Sequence, residues 1–263
     1  MFAFHADRKQ YFNMQAANAA SHVIPFIEER FRIQSGMRVL EIGCGEGGVM
    51  KAFVARGCTC VGVEFDAQRI AWGSEWLASE MENGSIRFVA KDIHHTGADE
   101  LGGAFDMIVL KDVIEHIHDQ SAMIRRLTSL LRPNGIVYFG FPPWQMPFGG
   151  HQQICKNKWL SRLPYYHLLP GFMYKAIMRA FGENVDEMME IKETGISIER
   201  FERICLESGY ELLHSKHYLV NPIYEWKFGW KPRIQWKGIR AIPYLRNFVT
   251  TCVYYIIRPK YEL

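Results

Sequence analysis

The chain has 263 residues, 48% hydrophobic and 22% charged, with a net charge of +3. That length and apolar content suit one α/β domain with an added lid, and they exclude a disordered or fibrous chain. The six cysteines show no zinc-like spacing, no secretory signal opens the sequence, and no apolar run reaches the ~20 residues needed to span a bilayer. Reduced thiols and a cytoplasmic location are therefore expected, with membrane association left open by a basic tail.

Residues 5–33 carry a helical pattern with Tyr11, Phe12, Val23, Ile24, Phe26 and Ile27 apolar, and Pro25 predicts two helices or a kink. Residues 1–35 are thus expected to form a cap. Val39-Leu40-Glu41-Ile42 then runs into Gly43-Cys44-Gly45-Glu46-Gly47-Gly48, a buried strand stopping in a tight glycine turn. Gly43, Gly45 and Gly48 spell the dinucleotide fingerprint G-x-G-x-x-G, whereas Glu41 with Gly43, Gly45 and Gly47 spells E-x-G-x-G-x-G. Either match alone is weak.

The context strengthens the match. A second apolar run, 58–63, ends at Glu64, which lies 21 residues after Gly43. A right-handed β-α-β unit brings that carboxylate beside the glycine turn, where it could accept both hydroxyls of a ribose. Phe65 could cover an adenine, and Asp92, after the third run at 86–91, could accept from the adenine amino group. Runs at 105–110 and 135–141 predict strands four and five, each continuously apolar as strands covered on both faces require. Helices are expected at 48–56, 67–82 (Ile70, Trp76 and Leu77 inward) and 119–131, with Pro133-Asn134-Gly135 turning into the fifth strand and a single helical turn within 94–103. Residues 36–141 would then form the cofactor-binding core and 142–195 a lid over the substrate, with helices at 171–181 and 184–191. Residues 196–263 complete the sheet through a helix at 197–208, a sixth strand at 210–220 and an antiparallel seventh at 254–258. Residues 212–263 hold nine Lys or Arg against two acids and many aromatics, concentrated in an excursion at 221–250. That composition suits a lipid interface, a nucleic acid, or an ordinary solvated face.

Glu41-Ile42-Gly43-Cys44-Gly45-Glu46-Gly47, Glu64, Asp92-Ile93 and Phe105-Asp106-Met107-Ile108-Val109 leading into Val113-Ile114-Glu115-His116-Ile117 together resemble the class I S-adenosylmethionine-dependent methyltransferases. The last piece resembles the branch with ubiquinone-biosynthesis-type O-methyltransferases and related small-molecule and lipid methyltransferases. The likeness covers residues 36–141 well and extends loosely beyond. It implies a Rossmann-like, seven-stranded, mostly parallel sheet with an antiparallel last strand, helices on both faces and a lid after strand five. It also implies S-adenosylmethionine as cofactor, held by Glu41, Gly43, Cys44, Gly45, Gly47, Glu64, Phe65, Asp92, Ile93 and Lys111. A nicotinamide enzyme would leave Glu41 and the Glu115-His116 pair without a role.

Methyl transfer from a sulfonium demands placement of a nucleophile and, for a hydroxyl or activated carbon, a base. His116 and His151 follow strands whose ends face the cofactor and are the catalytic candidates. Tyr11, Trp144 and His151 are candidate substrate contacts, and His5 and Gln15 are further possible contacts from the cap. Glu115 with His116 offers one carboxylate and one imidazole, a poor divalent-ion site, and His94 and His95 lack partners, so no metal is expected. The expected acceptor is an oxygen or carbon of a small hydrophobic, aromatic or lipid-linked molecule. The alternatives are an RNA methyltransferase and a non-catalytic cofactor-binding protein.

Overall fold

The computed structural model describes residues 7–260, so His5 lies outside the described residues. Five parallel strands come first: β1 (Arg38–Ile42), β2 (Thr59–Glu64), β3 (Ile86–Ala90), β4 (Phe105–Lys111) and β5 (Leu131–Phe141). β6 (Tyr210–Val220) and β8 (Cys252–Pro259) follow, with β8 inserted antiparallel between β5 and β6. β7 (Arg233–Ile234) pairs antiparallel with β6, giving the order β3-β2-β1-β4-β5-β8-β6-β7. The mostly parallel sheet with its antiparallel last strand is the one the sequence led us to expect. The additional strand, β7, is a two-residue edge inside the basic excursion, too short for an apolar run to announce it.

Alternate residues of each strand feed two cores. Leu40, Ile42, Ile108 and Leu110 meet α6 (Gln120–Leu127) and α9 (Ile198–Glu207) on one face. Val39, Met107 and Val109 meet α3 (Gly48–Val54) and the N-terminal helices α1 (Arg8–Asn18) and α2 (Ile24–Glu28) on the other. Side-chain caps set several helix starts, as where Asp66 accepts from Gln68 and Arg69 and Ser197 accepts from Arg200.

Three local expectations are refined. Pro25 does not break the N-terminal run. A π-helical turn at Ala19–Val23 precedes it, and Pro25 falls in the first turn of α2, where its missing N–H costs little. The helix expected over 67–82 is two, α4 (Ala67–Trp76) and α5 (Ala78–Glu82), because Leu77 leaves helical geometry while remaining fully buried. The helix expected to reach residue 131 ends at Leu127 in a 3₁₀ turn, and Leu131 already pairs with Phe105 across a bulge.

Between β5 and α9 the chain forms a small layer of its own, with α7 (Gly171–Ala180) and α8 (Val185–Thr194) packed around Leu160, Tyr166, Tyr174, Met178 and Met188. The excursion after β6 carries three short helices: α10 (Tyr224–Phe228), α11 (Lys237–Arg240) and α12 (Leu245–Phe248).

Phe201 of α9 is fully buried, its ring 4.9 Å from each of Phe139, Phe141 and Tyr255, so it ties β5 to the antiparallel half of the sheet. Phe201→Ala should lower unfolding stability by about 3–5 kcal/mol, read from urea melts. A loss under about 1 kcal/mol would mean that this junction repacks freely.

Candidate active site

The chain leaves β1 toward β2 and β3, then returns to lay β4 against the opposite side of β1. Loops from the carboxyl ends of β1 and β4 therefore diverge and open a crevice. The glycine turn lines it, with Gly43, Gly45 and Gly47 at φ of 66°, 53° and 83°. A Cβ on Gly43 would stand 2.6 Å from a Val113 methyl, and one on Gly45 would stand 2.2 Å from the Arg69 guanidinium, so neither position admits a side chain without rearrangement.

Glu64 anchors this turn to β2. One carboxylate oxygen accepts from the Gly45 N–H at 3.0 Å, and the other from Phe65 and Asp66 at 2.9 and 3.0 Å. Beside it lies a cavity of about 620 Å³ lined by Gly43, Glu64, Phe65, Asp92, Ile93 and His116. Phe65 is 84% exposed at its rim, an aromatic face with no protein covering it. Asp92 is exposed and uses one oxygen to cap the turn at Ile93–His95.

A second cavity of about 240 Å³ lies beneath α1 and includes Tyr11, Gln15, Glu41, Cys44, Lys111, Asp112, His116 and His151. Glu41 is buried, and its Oε2 has no hydrogen-bond partner. Burial pushes its carboxyl up to about 8, only partly opposed by Lys111 and a Met50 backbone contact. Burial also opposes the Lys111 charge, but Asp112, in direct ion pairing, and Tyr11 raise its pKa. Cys44 is a buried wall residue whose Sγ contacts its own loop, and desolvation raises its pKa.

A third cavity, about 220 Å³, lies between residues 142–154 and the basic excursion. Its wall includes Tyr11, Asp112, Glu115, Pro142, Met146, Phe148, His151, Tyr224, Lys227 and Phe228. Burial lowers the Lys227 ammonium to about 8 despite Asp112. His116 and His151 stand at the junction of the three cavities, their rings 4.9 Å apart and edge-on. Desolvation lowers both, His151 to about 4 with His116 as the next cause, so both are neutral at pH 7. Glu115 is buried with both oxygens unpartnered, and it lies close to both imidazoles.

The structure thus brings Tyr11, Glu41, Gly43, Cys44, Glu64, Phe65, Asp92, Ile93, Lys111, His116 and His151 to two adjoining cavities that share Gly43 and His116, while Gly45 packs against Arg69 and Gly47 against Leu77, Met50 and Phe88. Trp144 lies behind His151 and Glu115 rather than in the larger cavities. Its indole fills the space a Gly195 side chain would need, meets His167 edge-on at 4.7 Å, and borders a crevice of about 10 Å³ that Glu115 and His151 also line. Sequence reading missed Arg69, Glu46, Asp112 and Lys227. Arg69 bonds Glu46 at 3.1 and 3.3 Å and approaches Glu64 at 3.7 Å, while Arg8 of α1 pairs with the same Glu46. The available signal was position: a helix starting just after β2 must aim its first turn at the glycine loop.

Residues 12–187 match the family described as "Methyltransferase domain". A ubiquinone biosynthesis O-methyltransferase of Pseudomonas syringae pv. tomato is 29% identical over 120 residues, which is 44% of this chain and 48% of that protein. The chain therefore spans about half the length of the curated relative it matches. Among solved structures, magnesium protoporphyrin IX methyltransferase from Synechocystis PCC 6803 aligns with a TM-score of 0.55 and 14% identity, covering 99% of this chain and 88% of the other. Geranyl diphosphate C-methyltransferase from Streptomyces coelicolor A3(2) aligns with a TM-score of 0.55 and 14% identity, covering 91% and 80%. At such identities the structural likeness concerns the fold.

The raised Glu41 pKa sets a sign for stability. The folded state holds a proton that the unfolded chain releases above pH ~4.5, so this group's contribution becomes less favourable as pH rises from there to about 8. Glu41→Gln mimics the protonated acid. Its stability relative to the parent should rise between pH 5 and 8, by at most about 1.4 kcal/mol per pH unit. Chemical denaturation at several pH values reads this, and a pH-independent difference would refute the assignment.

Proposed function

The chain belongs to the methyltransferase-domain family, among the class I S-adenosylmethionine-dependent enzymes, and on that premise we propose that it methylates an oxygen or carbon of a small hydrophobic acceptor, aromatic or lipid-linked. The observation that carries this reading is the adjacency of two spaces. A glycine-floored crevice suited to the cofactor meets a second cavity walled by residues 142–154 and 221–228, with two neutral imidazoles at the junction.

The residues fit the cofactor on features of their own. The left-handed glycine turn leaves bare backbone at the crevice floor, and the unpartnered Glu41 oxygen awaits a donor. Glu64, Phe65, Asp92 and Ile93 would hold the nucleoside, while Gly43, Cys44, Gly45 and Gly47 would lie along the chain that joins it to the amino acid. Glu41 would receive the ammonium group and Lys111 the carboxylate. When bound, S-adenosylmethionine supplies an electrophilic methyl group, so the protein has to align a nucleophile and exclude water. Tyr11 from α1 closes the acceptor side. His151 and His116, neutral at pH 7, face the acceptor and can accept its proton or position its oxygen. Trp144 serves indirectly, by fixing the loop that carries His151.

The basic excursion supports delivery of the acceptor from a lipid surface. Trp230, Trp236, Tyr244 and Ile234 are all exposed near Lys231, Arg233 and Lys237. No helix among the described residues is long and apolar enough to cross a membrane, so contact would be peripheral.

Glu64→Ala should weaken S-adenosylhomocysteine binding by ~10-fold or more, since it removes both a ribose acceptor and the anchor of the Gly45 amide. Calorimetry reads this, and unchanged affinity would remove Glu64 from the cofactor site. The acceptor class is tested by flotation with anionic vesicles together with turnover of quinol-like phenols. Absence of vesicle binding with efficient turnover of a water-soluble acceptor would count against the lipid-linked version.

A further inference from the structure

We propose that the methyl acceptor carries a carboxylate beside its apolar part, and that the Lys227 ammonium binds it inside the cavity between residues 142–154 and the basic excursion. The assignment rests on the transfer reading, whose acceptor class it narrows.

Lys227 comes from α10, the first helix after β6. Among the described residues it is the one Lys or Arg that lines this cavity, where it stands with Tyr11, Asp112, His151 and Tyr224. Its ammonium lies 5.2 Å from the centre of the Tyr11 ring. Tyr11 also lines the cavity beneath α1, so this charge sits close to where the acceptor and cofactor spaces meet. Met146, Phe148 and Ile223 belong to the same wall and suit the apolar part of the acceptor.

The placement is built into the fold. Glu225 on the same helix has a carboxylate oxygen 2.8 Å from His22 Nε2, which fastens α10 to the N-terminal run. Tyr224 and Phe228 meet edge-on at 5.3 Å, and Trp230 packs against both. Gly229 ends the helix at φ 72°. Lys227 therefore leaves a short helix held by the cap on one side and by its own aromatic cluster on the other.

The groups facing it decide which ligand charge is welcome. Lys111 and Asp112, from the end of β4, are paired directly. Burial raises the Glu115 carboxyl well above the usual carboxylate range and the Tyr11 phenol above its own, so both favour the neutral form. His116 and His151 are neutral at pH 7. An ammonium has three donors, so Lys227 can keep its electrostatic contact with Asp112 and still donate to a ligand oxygen. One ammonium beside one carboxylate matches a singly charged group better than a dianionic phosphate. Burial lowers the Lys227 ammonium to about 8 against the pull of Asp112, so its hold on an anion is full below about pH 7 and lost above about pH 9.

The test uses the full chain with S-adenosylhomocysteine present, and calorimetry with three probes: phenylacetate, its neutral counterpart 2-phenylethanol, and benzyl phosphate. The parent should bind phenylacetate ~10-fold or more tightly than the alcohol. Lys227→Met should level the two while keeping the affinity for 2-phenylethanol and for S-adenosylhomocysteine. Lys227→Arg should keep the preference, and keep it at about pH 9, where the parent's preference has faded. Equal affinity of the parent for acid and alcohol, binding of neither, or a preference that survives in Lys227→Met overturns the assignment. Benzyl phosphate binding more tightly than phenylacetate overturns the carboxylate as the group held. If the preference holds while S-adenosylhomocysteine does not bind, the transfer reading fails and the anion site at Lys227 stands. If S-adenosylhomocysteine binds and the preference is absent, the Lys227 assignment alone fails.

Discussion

The backbone after β1 must reverse within a few residues while leaving space for a ligand on one side and β2 on the other. Only residues without side chains allow this, and the obstacles are specific: a Val113 methyl stands over Gly43 and the Arg69 guanidinium over Gly45. The turn is then pinned to β2. Val63 accepts from the Gly43 and Cys44 amides, and Glu64 accepts from Gly45, so the loop's position follows that of β2. α1 sits so close to Gly48 that a Cβ there would be 2.7 Å from the Phe12 carbonyl oxygen. The helix carrying Tyr11 is thereby registered to the same turn. Sheet edge, cofactor crevice and roof share one short piece of chain.

Around that turn the protein accepts an electrostatic arrangement that opposes its stability. Glu41, Lys111, Asp112, Glu115, His116, His151 and Lys227 are drawn from strand ends and from the segments after β5 and β6 to one crevice, with Glu41 and Glu115 buried and His116 exposed. Lys111 and Asp112 compensate each other directly. Glu41 and Glu115 have no such partner, and burial raises both. They face different cavities, Glu41 under α1 and Glu115 toward the lid and tail. Burial thus favours the protonated, neutral acid in both walls. The strand faces away from the crevice, with fully buried residues such as Val39, Met107, Ile108 and Val109, offset the cost of holding them there.

What the sequence made legible follows from the range of each interaction. The parallel strands were readable because each is a continuous apolar run ending at a carboxyl edge, and the sixth matched the run at 210–220. Leu77 defeated the pattern because it is apolar and inward whether the helix continues or breaks, and the polar segment after it could follow either way. Leu131 was assigned to a helix by local period, but its partner Phe105 is 26 residues away in sequence. Glu64 was expected beside the glycine turn from its spacing, and its carboxylate accepts from the Gly45 amide there, because β-α-β geometry brings the second strand back to the first turn. Arg69, Lys227 and the meeting of Glu115 with His151 depend on side-chain reach and on how lid and tail fold over the edge, which no local pattern encodes. Trp144 was expected near the acceptor from chain position, and its packing into the space beside Gly195 depends on how residues 142–195 fold together.

That slot has a consequence for His151. Gln152 donates to Nδ1 of His167 at 3.0 Å and to the Pro147 carbonyl, and His167 Nε2 lies 2.8 Å from the Trp144 carbonyl oxygen. Burial keeps His167 neutral, lowering it to about 4. With Nδ1 accepting, Nε2 must carry the proton and donate to Trp144, so one tautomer satisfies every contact. Gly150 completes the lock, since a Cβ there would meet the His167 side chain at 2.4 Å. The residue after it has to enter the left-handed region to bring its imidazole over the crevice, at a cost of order 1–3 kcal/mol that the network must hold. A loop that only spanned a gap would relax to avoid that conformation. One braced by a buried Gln–His–backbone chain keeps its imidazole beside His116 and Glu115 before any ligand arrives, which is the pre-organisation a group-transfer site requires.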